Sequence, residues 1–400
     1  MIYGKINNKD YPPNFVSKIM IQPPLRFPIL KPLLPTAEKL IPYLFQIDGN
    51  RWYTNYGPLV RRFEADLEKH FAVEPNELTT STNATLALSQ TLLALGVPAG
   101  SACVMPSWTF VATPAAAIWA GLEPCFVDVD PATWLITPDQ VRKVVQTKQV
   151  GAVIVVSAFG APLDLAAWDD FSSSTSIPVV IDAAAGFDGF VGCGRKMNST
   201  PVVISLHATK VSGIGEGAVV ITRDSKLTSK IRSFGNFGFD GSRDALVCGT
   251  NSKMSEYTAA IGLALLAEWP ERRAGWAELT DAFAMEVKAT PELKVAPGFN
   301  QGWISSYGLI ELPAWISADK VMALLRQEGV ETRQWWGKGC HKQFAYRDFW
   351  KASLSETDRL GEQTLGLPFW LGMTIEDVGK VFQILRAALQ AQRERQSPTS

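Results

Sequence analysis

Histidine is scarce in this chain: His70, His207 and His341 are the only three among 400 residues. No H-E-x-x-H or H-x-x-x-H spacing occurs, and no G-x-S-x-G turn, so neither a zinc hydrolase nor a serine hydrolase is indicated. The five cysteines are odd in number, widely spaced and without a C-x-x-C pair. That argues against a disulfide framework and a zinc ribbon. No G-x-G-x-x-G follows an early strand, which counts against a dinucleotide-dependent oxidoreductase. An excess of either charge is also missing: 38 basic residues face 39 acidic ones. The chain therefore offers no footprint for nucleic acid or an anionic membrane. Its longest uncharged stretch, Ala102 to Leu122, is interrupted by Pro106 and Pro114 and holds Ser107, Thr109 and Thr113. A strand, a turn and a buried helix explain it better than a membrane span. The start, MIYGKINNKD, has no apolar signal core, so a cytoplasmic protein is expected.

What is present is a globular composition long enough for two domains, 46% hydrophobic and 19% charged. Residues 1–50 are rich in proline (YPPN, QPPLRFP, LKPLLPT) and read as an N-terminal arm with a short helix near Thr36–Gln46. RRFEADLEKHF has apolar residues at helical spacing and a charged outer face, which places His70 in solvent. From about residue 78 the runs ACVM, PCFVDVD, GAVIVVSAF, IPVVID, PVVISL and AVVIT alternate with helical segments. Most are apolar throughout, as parallel strands covered on both faces are. The expected fold class is therefore α/β with a mainly parallel sheet. A helix is expected over Ser255 to Trp269. A large domain over 51–268 would precede a smaller domain over 269–400, with strands in SSYGLIEL and GVETRQW.

Three strand-end positions could carry chemistry. STNATLAL places small polar residues before a helix start, where free N–H groups favour a phosphate, although such residues cap helices everywhere. Asp182 ends IPVVID, the position where open α/β sheets bind ligands, or is simply another helix cap. Lys210 follows PVVISL and precedes a loop holding Gly213, Gly215 and Gly217; it is a loop lysine or an amine set beside a cleft. Taken together, a phosphate cradle, a carboxylate and a lysine could hold pyridoxal phosphate (PLP). The carboxylate would keep the ring nitrogen protonated, and a lysine in a dry site could attack the aldehyde. PSWTF offers Trp108 and Phe110 as aromatic cover for the ring.

These stretches resemble the DegT/DnrJ/EryC1/StrS family of PLP-dependent sugar aminotransferases, of aspartate aminotransferase fold type I. The likeness runs from TNYGPLVRRFE to LPFWLGMTIEDV, in the family's order: NATLAL, VMPSWTFVATPAAAIWAGLEPCFVDVDPATW, IDAAAGF, ISLHATK with GEGAVV, RSFGNFG, and GTNSKMSEYTAAIGLALL. The resemblance implies that Lys210 forms a Schiff base with the cofactor and shuttles protons, and that Asp182 pairs with its ring nitrogen. Ala84, Thr85 and Ser205 would contact its phosphate. Phe110, with Trp108 as a neighbour, would stack on the ring. Asn251 would reach the phosphate of a partner subunit, implying a homodimer with shared sites. A large PLP-binding domain with a smaller α+β C-terminal domain is implied. So is a ping-pong transfer from an amino acid, glutamate, to a keto-sugar linked to a nucleotide, with polysaccharide or glycosylated-metabolite products.

Two departures stand out. Where the family has Gln or His three residues after the aspartate, this chain has Ala185. His207 is either a substitute or a packed residue. In ETRQWWGKGCHKQFAYRDF, Arg333 fits the family pattern, but Trp335, Trp336 and Gly337 do not, which points to an unusual substrate. Ala185 keeps open a PLP-binding regulatory or weakly catalytic relative. Lys210 argues against the branch that carries histidine there and dehydrates sugars.

Overall fold

The computed structural model describes residues 25–396. The apolar runs become strands β1 (Leu78–Ser81), β2 (Ala102–Pro106), β3 (Glu123–Val127), β4 (Val150–Val156), β5 (Val179–Asp182), β6 (Val202–Ser205) and β7 (Ala218–Ile221). Further on come β8 (Lys294–Val295), β9 (Gly308–Glu311), β10 (Trp350–Lys351) and β11 (Thr364–Leu367). Helices occupy the intervals: α1 (Ala37–Asn50), α2 (Pro58–Phe71), α3 (Ala84–Ala94), α4 (Ala112–Trp119), α5 (Pro138–Val145), α6 (Leu165–Thr175) and α7 (Ser225–Phe234). They continue with α8 (Glu256–Lys288), α9 (Ala318–Gln327), α10 (Ser355–Gln363) and α11 (Ile375–Gln396).

The large sheet has the order β1-β7-β6-β5-β4-β2-β3-β10. From β10 to β6 neighbouring strands are parallel, while β7 is antiparallel to both β6 and β1. In β4, Val153 and Val155 enter one hydrophobic core and Ala152 and Ile154 the other. Alternate side chains of a strand face opposite ways, so an unbroken apolar run is what a sheet covered on both faces needs. Each such buried Val or Ile contributes about 1.5–3 kcal/mol relative to exposure. A second, antiparallel sheet of order β11-β9-β8 packs with α8 and α9. The expected α/β fold is the observed one.

Local expectations fared unevenly. Thr36 caps α1, which runs a turn beyond Gln46. The first part of the expected arm, residues 1–24, lies outside the described residues. From Arg26 onward the arm hydrogen-bonds to Gly329 and pairs Phe27 with Val330. Ser255 caps α8 as expected, its hydroxyl accepting from the Thr258 N–H at 3.1 Å. The helix then runs 33 residues, so the boundary at 268/269 falls inside it. GVETRQW is not a strand: it bridges only at single points, Val330 to Phe27 and Arg333 to Gly366. The Trp335 ring sits against the bare Cα of Gly366.

His70 is likewise not a solvated residue. Its ring stacks on Phe187 at 4.5 Å and meets Trp269 edge-on at 6.2 Å. Its Nε2 is buried without a hydrogen-bond partner. Burial pushes its pKa below the usual histidine range, partly opposed by a hydrogen bond to the Phe187 backbone. A histidine with a depressed folded-state pKa binds fewer protons folded than unfolded between the two values. Stability should therefore fall as pH drops below about 6.5. A thermal melt series on wild type and His70→Leu checks this; the variant should lose less Tm between neutral and mildly acidic pH.

Candidate active site

The carboxyl ends of the parallel strands open onto a cavity of about 600 Å³. The size suits a cofactor with part of a substrate. Asp182 ends β5 and lies on its wall, 5% exposed. Thr113 Oγ1, in the first turn of α4, donates to its Oδ2 at 2.7 Å, and the Ala184 N–H donates to Oδ1 at 3.2 Å. The Thr109 hydroxyl backs Thr113 at 2.7 Å. Burial still dominates and pushes the Asp182 carboxyl above the usual carboxylate range, although Thr113, the Ala184 N–H and the Lys210 ammonium oppose it. A buried carboxylate held this way has room for one more cationic partner.

Lys210 lies across the cavity on the loop after β6. The Gly213 N–H returns to its carbonyl at 3.0 Å. A Cβ on Gly213 would collide with the Ala208 carbonyl, and Gly215 takes φ +99°. These two glycines let the chain double back under the lysine. Lys210 Nζ donates to Tyr307 Oη at 2.6 Å. At the head of α3, the Asn83 side chain accepts from the Leu86 N–H at 2.9 Å. Ala84 and Thr85, whose N–H groups have no partner within a helix, form the adjoining wall. Ser205 lines the wall beside them, its hydroxyl accepting from the His207 N–H at 3.2 Å.

Six of the eight residues singled out in the sequence thus converge: Ala84, Thr85, Phe110, Asp182, Ser205 and Lys210 all line the cavity. Phe110 is 57% exposed. Trp108 is not brought to it. The chain turns at Ser107, and the indole goes under the wall, 1% exposed and edge-on to Trp336 at 5.3 Å. Asn251 is exposed and stands off the wall, bridged to Asn236. His207 is not packed: it lines the cavity, and Nε2 lies 3.5 Å from Glu216.

Several wall residues had no signal in the sequence. Tyr307 comes from the edge of the second sheet, and Phe159 from a turn after β4 where it takes φ +53°. Phe159 stacks on Trp336 at 3.9 Å, and Arg333 lies over Trp335 at 5.1 Å. Thr113 was visible, as a hydroxyl four residues after Thr109 in an apolar run, but only as a break in that run. A Ser–His–Asp string also exists: Ser107 Oγ lies 2.7 Å from His341 Nδ1, and His341 Nε2 lies 3.1 Å from Asp358. Ser107 is fully buried and off the cavity wall, so it cannot meet a substrate. The string ties the end of β2 to the loop before β10.

The sequence model of the DegT/DnrJ/EryC1/StrS aminotransferase family matches residues 36–386. The chain belongs to that family. Protein MT3510 of Mycobacterium tuberculosis is 32% identical over 268 residues, 64% of this chain and 64% of that protein's length. A protein of Bacillus cereus described as a PLP-dependent aminotransferase superposes with TM-score 0.84 at 30% identity, covering 90% of this chain and 99% of its own. The structure of DesI in the presence of its TDP-sugar product gives 0.82 at 32% identity, covering 93% and 97%. In the terms of this DegT/DnrJ/EryC1/StrS fold, the cavity lies where Asp182, Lys210 and the start of α3 meet. Among the described residues no helix is long and apolar enough to cross a membrane, and no cluster of ligating side chains suits a metal ion.

Proposed function

We propose that the cavity holds PLP and that the protein transfers an amino group from glutamate to a nucleotide-linked keto-sugar. The observation that carries this reading is the under-compensated Asp182 facing the same cavity as Lys210. A protonated pyridine nitrogen is the cation such a carboxylate favours. Ala84, Thr85 and Ser205 offer N–H and hydroxyl donors for a phosphate at a helix start. PLP would supply the electron sink that lets a C–H bond next to nitrogen ionise. The chain's part is to hold Asp182 charged, to keep the Lys210 amine at the substrate carbon as acid and base, and to shed water behind Phe159 and Trp336.

Arg333 gives the cavity a guanidinium suited to a carboxylate or a phosphate oxygen. The DesI product is a TDP-sugar, which supports a nucleotide-linked acceptor. Incubation with glutamate and TDP-linked keto-sugars tests the reading by mass spectrometry. Formation of 2-oxoglutarate together with an amino sugar is expected; release of neither would count against it.

The reading includes a homodimer with shared sites in the cytoplasm. Asn251 supports the sharing, since it is exposed and off its own cavity wall. Mixing inactive Lys210→Ala with weakened Asn251→Ala chains should restore activity, because one site of each mixed pair is then intact. No gain on mixing, after subunit exchange is verified, would show sites complete within one chain.

A further inference from the structure

Among the described residues, the amine of Lys210 has one hydrogen-bond partner, the Tyr307 hydroxyl at 2.6 Å. Tyr307 immediately precedes β9, so the second sheet delivers this group to the lysine of the large sheet. Its ring is held firmly. Trp335 meets it edge-on at 4.8 Å and Phe159 at 5.5 Å. Its N–H donates to Ser305 Oγ at 3.2 Å, and Ser305 Oγ in turn donates to the Phe159 carbonyl at 2.7 Å. Side chains locked this way hold a functional group in one place. A phenol both donates and accepts, so it can serve the lysine as ammonium or as free amine. On the turn after β5, Ala184 and Ala185 leave the wall without a polar side chain.

Resting on the PLP reading, we propose that Tyr307 is a further catalytic residue. Its hydroxyl holds the Lys210 amine and donates to the cofactor's ring oxygen, which is borne by the carbon next to the one carrying the aldehyde. That donor favours negative charge on the oxygen. It thereby lowers the pH at which the nitrogen joined to the cofactor gives up its proton.

The test is a pH titration of the visible band of PLP bound to wild type, Tyr307→Phe and a chain with 3-fluorotyrosine at 307. The phenylalanine variant lacks the donor, so the midpoint should rise by about one unit or more. The fluorinated phenol is a stronger donor, so the midpoint should move to lower pH. A packing role would change Tm and leave both midpoints in place, and that result overturns the proposal. The fluorinated chain decides alone if the phenylalanine variant does not fold. Borohydride labelling keeps the two readings apart. A label on Lys210 with unmoved midpoints removes only the role of Tyr307, whereas no label removes the PLP reading beneath it.

Discussion

Lys210→Gln should abolish transamination, lowering kcat by about 10⁴-fold, the upper end of what a positioned acid–base group contributes. The amine lines the same cavity as Asp182 and is held by the Tyr307 hydroxyl, where it can take and return a proton. Glutamine keeps a polar side chain that can still bond Tyr307, and Lys210 is only part-buried. The fold should therefore survive, with Tm within a few degrees of wild type. Single-turnover mixing with glutamate, followed by absorbance, checks this. A variant that retains even a tenth of the wild-type rate would mean that another base acts.

Asp182→Asn should separate activity from stability. Asparagine fills the same volume, and its carbonyl can still accept from Thr113 or from the Ala184 N–H. What it loses is the charge. An adjacent carboxylate is worth about 1–3 pKa units to a protonated partner, so kcat should fall by about 10–10³-fold while the cofactor still binds. The cofactor-free protein should respond in the opposite sense. Burial already holds the Asp182 carboxyl above its usual range, so its charged form is costly without a cation beside it. Removing that charge should raise the Tm of the cofactor-free variant above that of wild type. Steady-state kinetics and paired melts with and without PLP check both halves. Equal loss of stability in both states would mean that Asp182 is a structural acid.

The elements that sequence reveals best are those with a single local cause. The strands from β2 to β7 announce themselves because a strand buried on both faces must be apolar at every position. Asp182 was legible because it ends such a run, and Lys210 because it stands on the loop just after one. Tyr307 was not, because its partner lies 97 residues away and belongs to another sheet. The same holds for His341, which meets Ser107 across 234 residues. Helical periodicity put His70 on the outer face of α2, but it cannot foresee that the turn carrying Phe187 covers that face. Trp108 and Phe110 are two apart, and both are expected to cover the ring, Phe110 as the stacking residue and Trp108 as its neighbour. Only the turn at Ser107, pinned by His341, sends one inward and the other to the cavity. Asn251 is a different case, since no single chain can show what a second copy would bring.

The account rests on Lys210 and Asp182 meeting one cofactor in one cavity. The most direct measurement mixes purified protein with PLP, records the visible spectrum, adds glutamate, and traps a parallel sample with borohydride for peptide mapping. The account predicts a visible band that collapses on adding glutamate and, in the sample trapped beforehand, a reduced cofactor fixed to Lys210. A protein that binds no PLP, or that carries the label on any lysine other than Lys210, would contradict it.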